Sequence, residues 1–380
     1  MYNIKNITEI VEGNTKIIVP TETLNNIPSS NLKIFFNPKA SINRDFSIIA
    51  YSAFAKRFNG PKIFLDSLCG VGARGLRVAN EIKNIKVIAN DMNNKALELS
   101  LLSAHINNLN NYYISNNEAC NFLSMHAKKH KRGMIVDIDP FGSSSKYIDC
   151  GIRATMHGGL LSMTSTDLQV LHGIFKQTCK RKYYGVPIKT TYSNEISIRL
   201  ILGSVYFVSS RLDITIVPML VENNFHYYRI YVKILNKPDN GDDKIGYILH
   251  CQKCGNREIR SDIQICSNCK NNVEIAGPLW IGKLFDEEFV ISMLNENYNY
   301  INRRYYEILK KCLLESNIVK VYFTSDEIAS TMHMSPLKLN KIINILHENN
   351  FIASPTSLNQ CGFRTDAKLS EIVKIFQSYK

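Results

Sequence analysis

The chain has 380 residues, 45% of them apolar, and 46 Lys and Arg against 33 Asp and Glu, a formal charge of +13. That apolar content excludes disorder as the main state. No stretch approaches the roughly 20 apolar residues of a membrane span: the best candidate, Leu200 to Val208, is too short and follows Arg199. The basic balance points to a polyanionic partner, nucleic acid first, and no membrane.

The length suggests two or three domains. Met1 to Lys16 lacks the apolar core of a secretory leader, so a cytoplasmic setting is expected. Residues 1–60 read as a mixed segment, with Glu12-Gly13, an extended Lys16 to Pro20, then Ile34-Phe35-Phe36-Asn37-Pro38 and Asn43-Arg44-Asp45. From Lys62 strands and helices alternate. Ile63 to Leu65 reads as a short buried strand, followed by a Gly-rich turn and a helix from about Arg74 to Ile82. Val87 to Ala89 is the next strand, ending at Asn90-Asp91, and 94–107 carries Ala96, Leu97, Leu101, Ala104 and Ile106 at helical spacing. Met134 to Ile138 is a strand ending at Asp139-Pro140-Phe141-Gly142; a helix near 146–156 and a strand near 160–165 follow. This alternation predicts an α/β fold with an open, mostly parallel, doubly wound sheet. Residues 204–217 and 226–235 alternate strongly and are expected to finish it as antiparallel strands.

The turn-rich run Lys237 to Asp243 predicts the boundary between a domain over 1–240 and another over 241–380. Beyond about residue 300 the chain looks helical. Ser325 to Ala329, Ser335-Pro336-Leu337, Ile342 to Leu346 and Phe351-Ile352 resemble a helix-turn-helix with a short wing.

Four of the ten cysteines form Cys251-x2-Cys254 and Cys266-x2-Cys269, eleven residues apart. Each pair puts two thiolates on one tight turn, and two such turns complete a tetrahedron around zinc. Four thiolates leave no open position, so the zinc is expected to be structural. The alternative, two disulfides, needs an oxidising compartment. The other six, at 69, 120, 150, 179, 312 and 361, read as buried small hydrophobes.

Two constellations carry chemistry. Asp66-x3-Gly70-x-Gly72-x2-Gly75 follows a strand and opens a helix, and Asp91 lies 21 residues after Gly70. Glycines there admit a cofactor close to the backbone, and an acid at the end of the next strand accepts hydrogen bonds from ribose hydroxyls. Nicotinamide dinucleotide and S-adenosylmethionine both fit that pattern. Asp139-Pro140-Phe141-Gly142 resembles the acid/amide-Pro-Pro-aromatic motif of amino-methyltransferases. A base's exocyclic amine is a poor nucleophile because its lone pair is delocalised. The Asp139 carboxylate and the Pro140 carbonyl can accept its two N–H bonds, and Asp139 can take up the proton. Phe141 offers a face on which a base can stack. Asp137 reads as structural.

With those residues the chain resembles the tRNA (guanine-N2)-dimethyltransferases that act on guanine 26. Further marks are Glu12-Gly13, Phe35 to Asp45, Arg74 and Arg77, Asn90-Asp91, Ser143, Thr164 to Asp167, Tyr192 to Arg199 with Glu195, the paired knuckles, Gly277 to Trp280 with Gly282, and Gly362 to Asp366. The resemblance implies a Rossmann-like class I S-adenosylmethionine-dependent methyltransferase sheet, with a zinc-bearing α+β C-terminal domain and a winged-helix-like tail that docks tRNA. It implies that Arg44, Arg74 and Asp91 hold S-adenosylmethionine, with Glu118-Ala119 at the adenine end, where the family often has Asp-Ala. It makes Asp139 the catalytic acid and lets Phe35 and Phe141 sandwich a flipped guanine. Extruding that base costs on the order of a few kcal/mol, which RNA-backbone contacts must offset. Candidate basic stretches are Lys128 to Arg132, Lys180 to Lys182 with Tyr183-Tyr184, and Arg303-Arg304. A monomer is expected. The alternatives are an amino-methyltransferase acting on another base and a non-enzymatic nucleic-acid binder, which would need neither Asp91 nor Asp139.

Overall fold

A computed structural model describes residues 6–25, 34–224, 226–238, 244–262 and 265–378. The chain opens with strands β1 (Ile7–Glu12) and β2 (Thr15–Pro20), an antiparallel hairpin. Its turn places Gly13 at φ +58°, and a Cβ there would stand 2.7 Å from Arg77 Nη2 and from Glu81 Oε1. A short helix α1 (Glu22–Asn25) and the longer α2 (Ser41–Arg57) follow.

Then comes the alternation: β3 (Ile63–Asp66), α3 (Ala73–Glu81), β4 (Lys86–Asn90), α4 (Asn94–Ile106), β5 (Tyr112–Ser115), α5 (Ala119–His126), β6 (Gly133–Ile138), α6 (Ile148–Ala154) and β7 (Thr155–Ser165). The five strands pair in parallel, in the order β5-β4-β3-β6-β7. β6 is buried at every position, as a central strand covered on both faces requires. The order reverses between β3 and β6, the switch point at which open α/β sheets leave a crevice beyond the strands' carboxyl ends. Side chains of α4 finish the free edge of β2: Ser103 Oγ accepts from Ile18 N at 2.8 Å and Asn107 Oδ1 from Lys16 N at 3.0 Å.

Next are α7 (Leu168–Leu171), α8 (Lys176–Tyr183), α9 (Ser193–Ser210), β8 (Thr215–Asn224) and β9 (Tyr227–Leu235). The alternation over 204–217 thus does not mark a strand: residues 204–210 are the last turns of α9. That helix is buried on nearly all sides, so its apolar positions carry no helical period to separate it from a buried strand. The strand begins at Thr215, and β9 matches the expectation for 226–235. The two form a hairpin whose second strand slots next to β7, giving the full order β5-β4-β3-β6-β7-β9-β8.

The rest holds β10 (Ile245–His250), β11 (Arg257–Arg260), β12 (Glu274–Trp280), α10 (Glu287–Leu294), α11 (Arg304–Glu315), β13 (Phe323–Thr324), α12 (Ser325–Met332), α13 (Leu339–Glu348), β14 (Ala353–Pro355), β15 (Gly362–Thr365) and α14 (Leu369–Gln377). Strands β11-β10-β12 form one sheet and β13-β15-β14 another. α12 and α13, joined by a turn and followed by the β14–β15 hairpin, correspond to the expected helix-turn-helix and wing. Their core is Ile328, Met332, Ile342, Leu346, Phe363 and Ile372.

Compactness does not divide the chain at one boundary. One unit comprises 1–164, 231–236 and 292–305; the other comprises 165–230, 237–291 and 306–380. The expected 240/241 cut falls within the 237–291 segment of the second unit, and residues 231–236 and 292–305 belong to the first. Residues 239–243 of the predicted boundary lie outside the described residues. In the second unit, several marks without an evident chemical role meet in one buried network. Glu195 accepts from Arg199 Nε at 2.9 Å and from Arg364 Nη1 at 2.9 Å. Arg364 Nε donates to Glu315 at 2.5 Å, and Arg199 Nη1 donates to the carbonyls of Trp280 and Gly282 at 3.0 Å each. No helix among the described residues is long and apolar enough to cross a membrane.

Candidate active site

Asp66, Asp91, Glu118 and Asp139 lie at or just beyond the carboxyl ends of β3, β4, β5 and β6. Four neighbouring parallel strands therefore deliver four acids to one rim of the sheet. Asp91 is fixed by backbone: Gly70 N donates to Oδ2 at 2.8 Å and Asn93 N to Oδ1 at 2.9 Å. Each oxygen keeps a lone pair for a ribose hydroxyl. The turn before α3 needs its glycines. Gly72 sits at φ +79°, and a Cβ there would lie 2.2 Å from Ser100 Oγ and 2.5 Å from Tyr112 Oη.

Arg74, buried in the first turn of α3, points into this rim. Its Nε stands 2.7 Å from Asp137 Oδ2, its Nη1 donates to Ser47 Oγ at 2.6 Å, and its Nη2 donates to Asp139 Oδ2. Tyr51 Oη donates to the other oxygen of Asp137 at 2.9 Å, and Tyr231 Oη lies 3.3 Å from Ser47 Oγ. Asp139 is the outermost member, its side chain 34% exposed. Burial first, and the charge of Asp137 second, push the Asp66 carboxyl up to about 8, with Arg74 offsetting only part. Its Oδ2 is buried without a hydrogen-bond partner.

Arg44 lies on the protein's own acid as well. Its Nε and Nη2 reach the two oxygens of Glu12 at 2.7 and 2.5 Å, and Nη2 donates to the Asn37 carbonyl at 3.1 Å. This pair explains the Glu12 mark. Glu118 is exposed and accepts from Asn121 N at 3.0 Å, capping α5, with Ala119 buried behind it. Pro140 is buried. The rings of Phe35 and Phe141 do not flank a gap: they touch edge to face, centroids 4.5 Å apart and 85° between planes. Phe141 is 62% exposed and precedes Gly142 at φ +75°, so its ring has room to turn. Ser47, Tyr51 and Tyr231 were not singled out from sequence. Asp137 was read as structural, and its pairing with Arg74 places it behind Asp139.

The knuckles also converge. The four sulfurs lie within 4.8 Å of one another, with Cys251 and Cys269 Sγ 3.4 Å apart and Cys254 and Cys266 Sγ 3.6 Å apart. Both turns repeat one conformation. Cys251 N donates to the Asn256 carbonyl and Cys266 N to that of Asn271, with Gly255 at φ +68° and Lys270 at φ +58° in matching places. All four thiols are unpaired, so the two-disulfide alternative fails for them. Of the scattered set only Cys179 and Cys312 are the buried thiols expected: Cys361 is exposed and Cys69 half-buried, and two more are joined to each other. Cys120 on α5 and Cys150 on α6 form a disulfide, because packing of those helices brings their Cα atoms to 5.6 Å.

A sheet wound this way, with an acid after the second strand, suits two cofactor classes. The final hairpin inserts β9 out of sequence order beside the parallel set, an order consistent with a class I S-adenosylmethionine-dependent methyltransferase sheet. The chain belongs to the N2,N2-dimethylguanosine tRNA methyltransferase family, whose model matches residues 13–377. It is 32% identical to the tRNA (guanine(26)-N(2))-dimethyltransferase of Methanobrevibacter smithii, over 99% of this chain and 98% of that protein. It is 31% identical to the tRNA (guanine(26)-N(2)/guanine(27)-N(2))-dimethyltransferase of Aquifex aeolicus, over 96% and 95%. The solved complex of Trm1 from Pyrococcus horikoshii with S-adenosyl-L-methionine matches with a TM-score of 0.82 at 25% identity, covering 97% of this chain and 99% of that one.

Proposed function

We propose that this chain transfers two methyl groups in succession from S-adenosylmethionine to the exocyclic N2 of guanine 26 in tRNA. The observation that carries the reading is Asp139 just beyond the carboxyl end of β6, ion-paired with Arg74 and two residues before Phe141, whose ring touches that of Phe35. When bound, the cofactor supplies an electrophilic methyl group.

Asp91 would hold its ribose, the Gly70 to Gly72 turn would pass close to it, and Glu118 and Ala119 would border the adenine. Arg44 and Arg74 would face its carboxylate while sharing their guanidinium groups with Glu12 and with Asp137 and Asp139. Phe35 and Phe141 part to take the extruded guanine between them. The Asp139 carboxylate and the Pro140 carbonyl accept the two N2–H bonds. This opposes delocalisation of the lone pair into the ring and aims it at the methyl group. As N2 bonded to the methyl carbon, the carbon–sulfur bond would break with its electron pair left on sulfur, and one N2 proton would pass to Asp139 or through it to water. The monomethyl product keeps one N–H, so the same carboxylate orients the second transfer.

The four knuckle cysteines hold a structural zinc in this reading: the sulfur separations suit thiolates about 2.3 Å from a common centre. A monomer acting in the cytoplasm is part of this reading, although the Cys120–Cys150 disulfide is unusual for a reducing compartment.

The test incubates the protein with radiolabelled S-adenosylmethionine and unmodified tRNA transcripts, then identifies the labelled nucleoside. N2-methyl- and N2,N2-dimethylguanosine, absent when guanine 26 is replaced, support the reading. Label on another base overturns the substrate, and RNA binding without label overturns the enzyme.

A further inference from the structure

Residues 168–194 contain no Asp or Glu and five basic residues: Lys176, Lys180, Arg181, Lys182 and Lys189. They centre on α8. Cys179 and Tyr183, four residues apart, anchor its buried face, and Tyr183 Oη donates to Asp167 Oδ1 at 2.7 Å. The same carboxylate takes Lys182 at 3.2 Å, which satisfies one cation. Lys176, Lys180 and Arg181 point to solvent and have no ion-pair partner among the described residues.

Helix stability accounts for only part of this face: the last turn, which holds Lys180 and Arg181, favours cations, but Lys176 is not explained in this way. Lys176 and Lys180 are like charges four apart, an arrangement that costs a few tenths of a kcal/mol, and Lys176 sits at the helix's positive end. The chain also exposes large rings at both ends of the helix: Phe175 is 50% and Tyr184 48% accessible.

We infer that the outer face of α8 is a tRNA contact surface: Lys176, Lys180 and Arg181 bind backbone phosphates, and Phe175 and Tyr184 offer faces to bases or riboses. Charge complementarity selects a polyanion, and the exposed rings beside the cations select nucleic acid over an acidic protein. The inference rests on the reading of the chain as a tRNA methyltransferase. The Lys128–Arg132 stretch is a weaker candidate. It enters β6 at the end opposite Asp139, and a six-residue strand spans about 20 Å.

The test compares the full-length protein with a Lys176→Ala/Lys180→Ala/Arg181→Ala variant and with Phe175→Ala. Affinity for unmodified tRNA is measured by filter binding between about 50 and 200 mM salt. The triple variant is expected to bind on the order of tenfold or more weakly, with a log–log salt slope shallower by about two to three. Cofactor affinity, and kcat at saturating tRNA, stay within about twofold, since no residue of the rim is touched. Phe175→Ala is expected to weaken binding with the slope unchanged. Wild-type affinity and slope in the triple variant overturn the inference. So does parallel loss of cofactor binding, which marks a structural role, or displacement of tRNA by polyglutamate as readily as by RNA of equal charge. Nucleoside analysis of the wild-type reactions separates the two readings. Salt-dependent binding through α8 with no methylguanosine formed would overturn the methyltransferase reading and leave this surface standing.

Discussion

Arg74 is one positive charge among Asp66, Asp137 and Asp139, and the three carboxyls divide it unequally. Asp137 and Asp139 lie against it; Asp66 does not, and burial with the Asp137 charge lifts it to about 8. An acid whose folded pKa exceeds its ordinary 3.8 costs stability as pH rises. Below 3.8 both states are protonated; between 3.8 and about 8 only the unfolded chain ionises; above that the loss is complete. Asp66→Asn lacks that term, so its melting temperature is expected to gain on the wild type by several degrees more at pH 8 than at pH 5. An equal gap at both pH values in thermal melts would sink this account. For the chemistry, Asp139→Asn is expected to lower kcat on the order of 10²–10⁴-fold with cofactor affinity nearly unchanged. Asp91→Ala reverses the pattern, weakening cofactor binding first. Titration calorimetry together with methyl-transfer rates separates the two, and near-normal turnover by Asp139→Asn removes Asp139 from its role.

At the scale of elements, each Cys-x2-Cys turn is legible because its chemistry is local: two thiols, a tight bend and a residue able to adopt positive φ lie within six positions. The metal itself is a prediction. One zinc per chain is expected by elemental analysis, and Cys254→Ser is expected to lose it. Chelation should raise hydrogen exchange over β10 and β11, the strands flanking the first knuckle, while methyl-donor binding persists. Full exchange protection after chelation would count against a structural zinc. The end of α9 and the Cys120–Cys150 pair show the opposite case. A helix buried all round has no amphipathic stripe to read, and two cysteines 30 residues apart carry no sign that α5 and α6 will pack.

Across the whole chain, the two interleaved units explain why marks far apart in sequence belong together. Glu195, Arg199, Glu315 and Arg364 come from two helices and a strand between residues 195 and 364, yet form one buried ionic network. Burial alone would raise the Glu195 carboxyl, but Arg364 and Arg199 overcome it and hold it below the ordinary glutamate value. A depressed folded pKa gives stability that is present above the unfolded value of about 4.5 and lost as pH falls through the folded one. Glu195→Gln strands two buried guanidinium groups and is expected to cost about 3–5 kcal/mol at neutral pH. It should also flatten the acid limb of the stability profile. A denaturant midpoint equal to wild type at pH 7 would show that the network is dispensable.

Short-range pattern encodes much of this protein. The strand–helix alternation, the glycine turn, Asp91 and Asp139 at strand ends, the Cys-x2-Cys knuckles and the family resemblance are all set within a few residues or by motif. What each charged group touches was settled by packing. Arg44 and Arg74 stood out in the sequence, but not as partners of Glu12 and of Asp137 and Asp139, which lie 32, 63 and 65 positions away along the chain. The edge-to-face contact of Phe35 with Phe141 and the interleaving of the two units were equally out of reach. The reason is physical. Turns and helix periods follow from neighbouring dihedrals and side chains, whereas ion pairs, ring contacts and unit boundaries depend on which distant surfaces pack, and that choice is made by the fold as a whole.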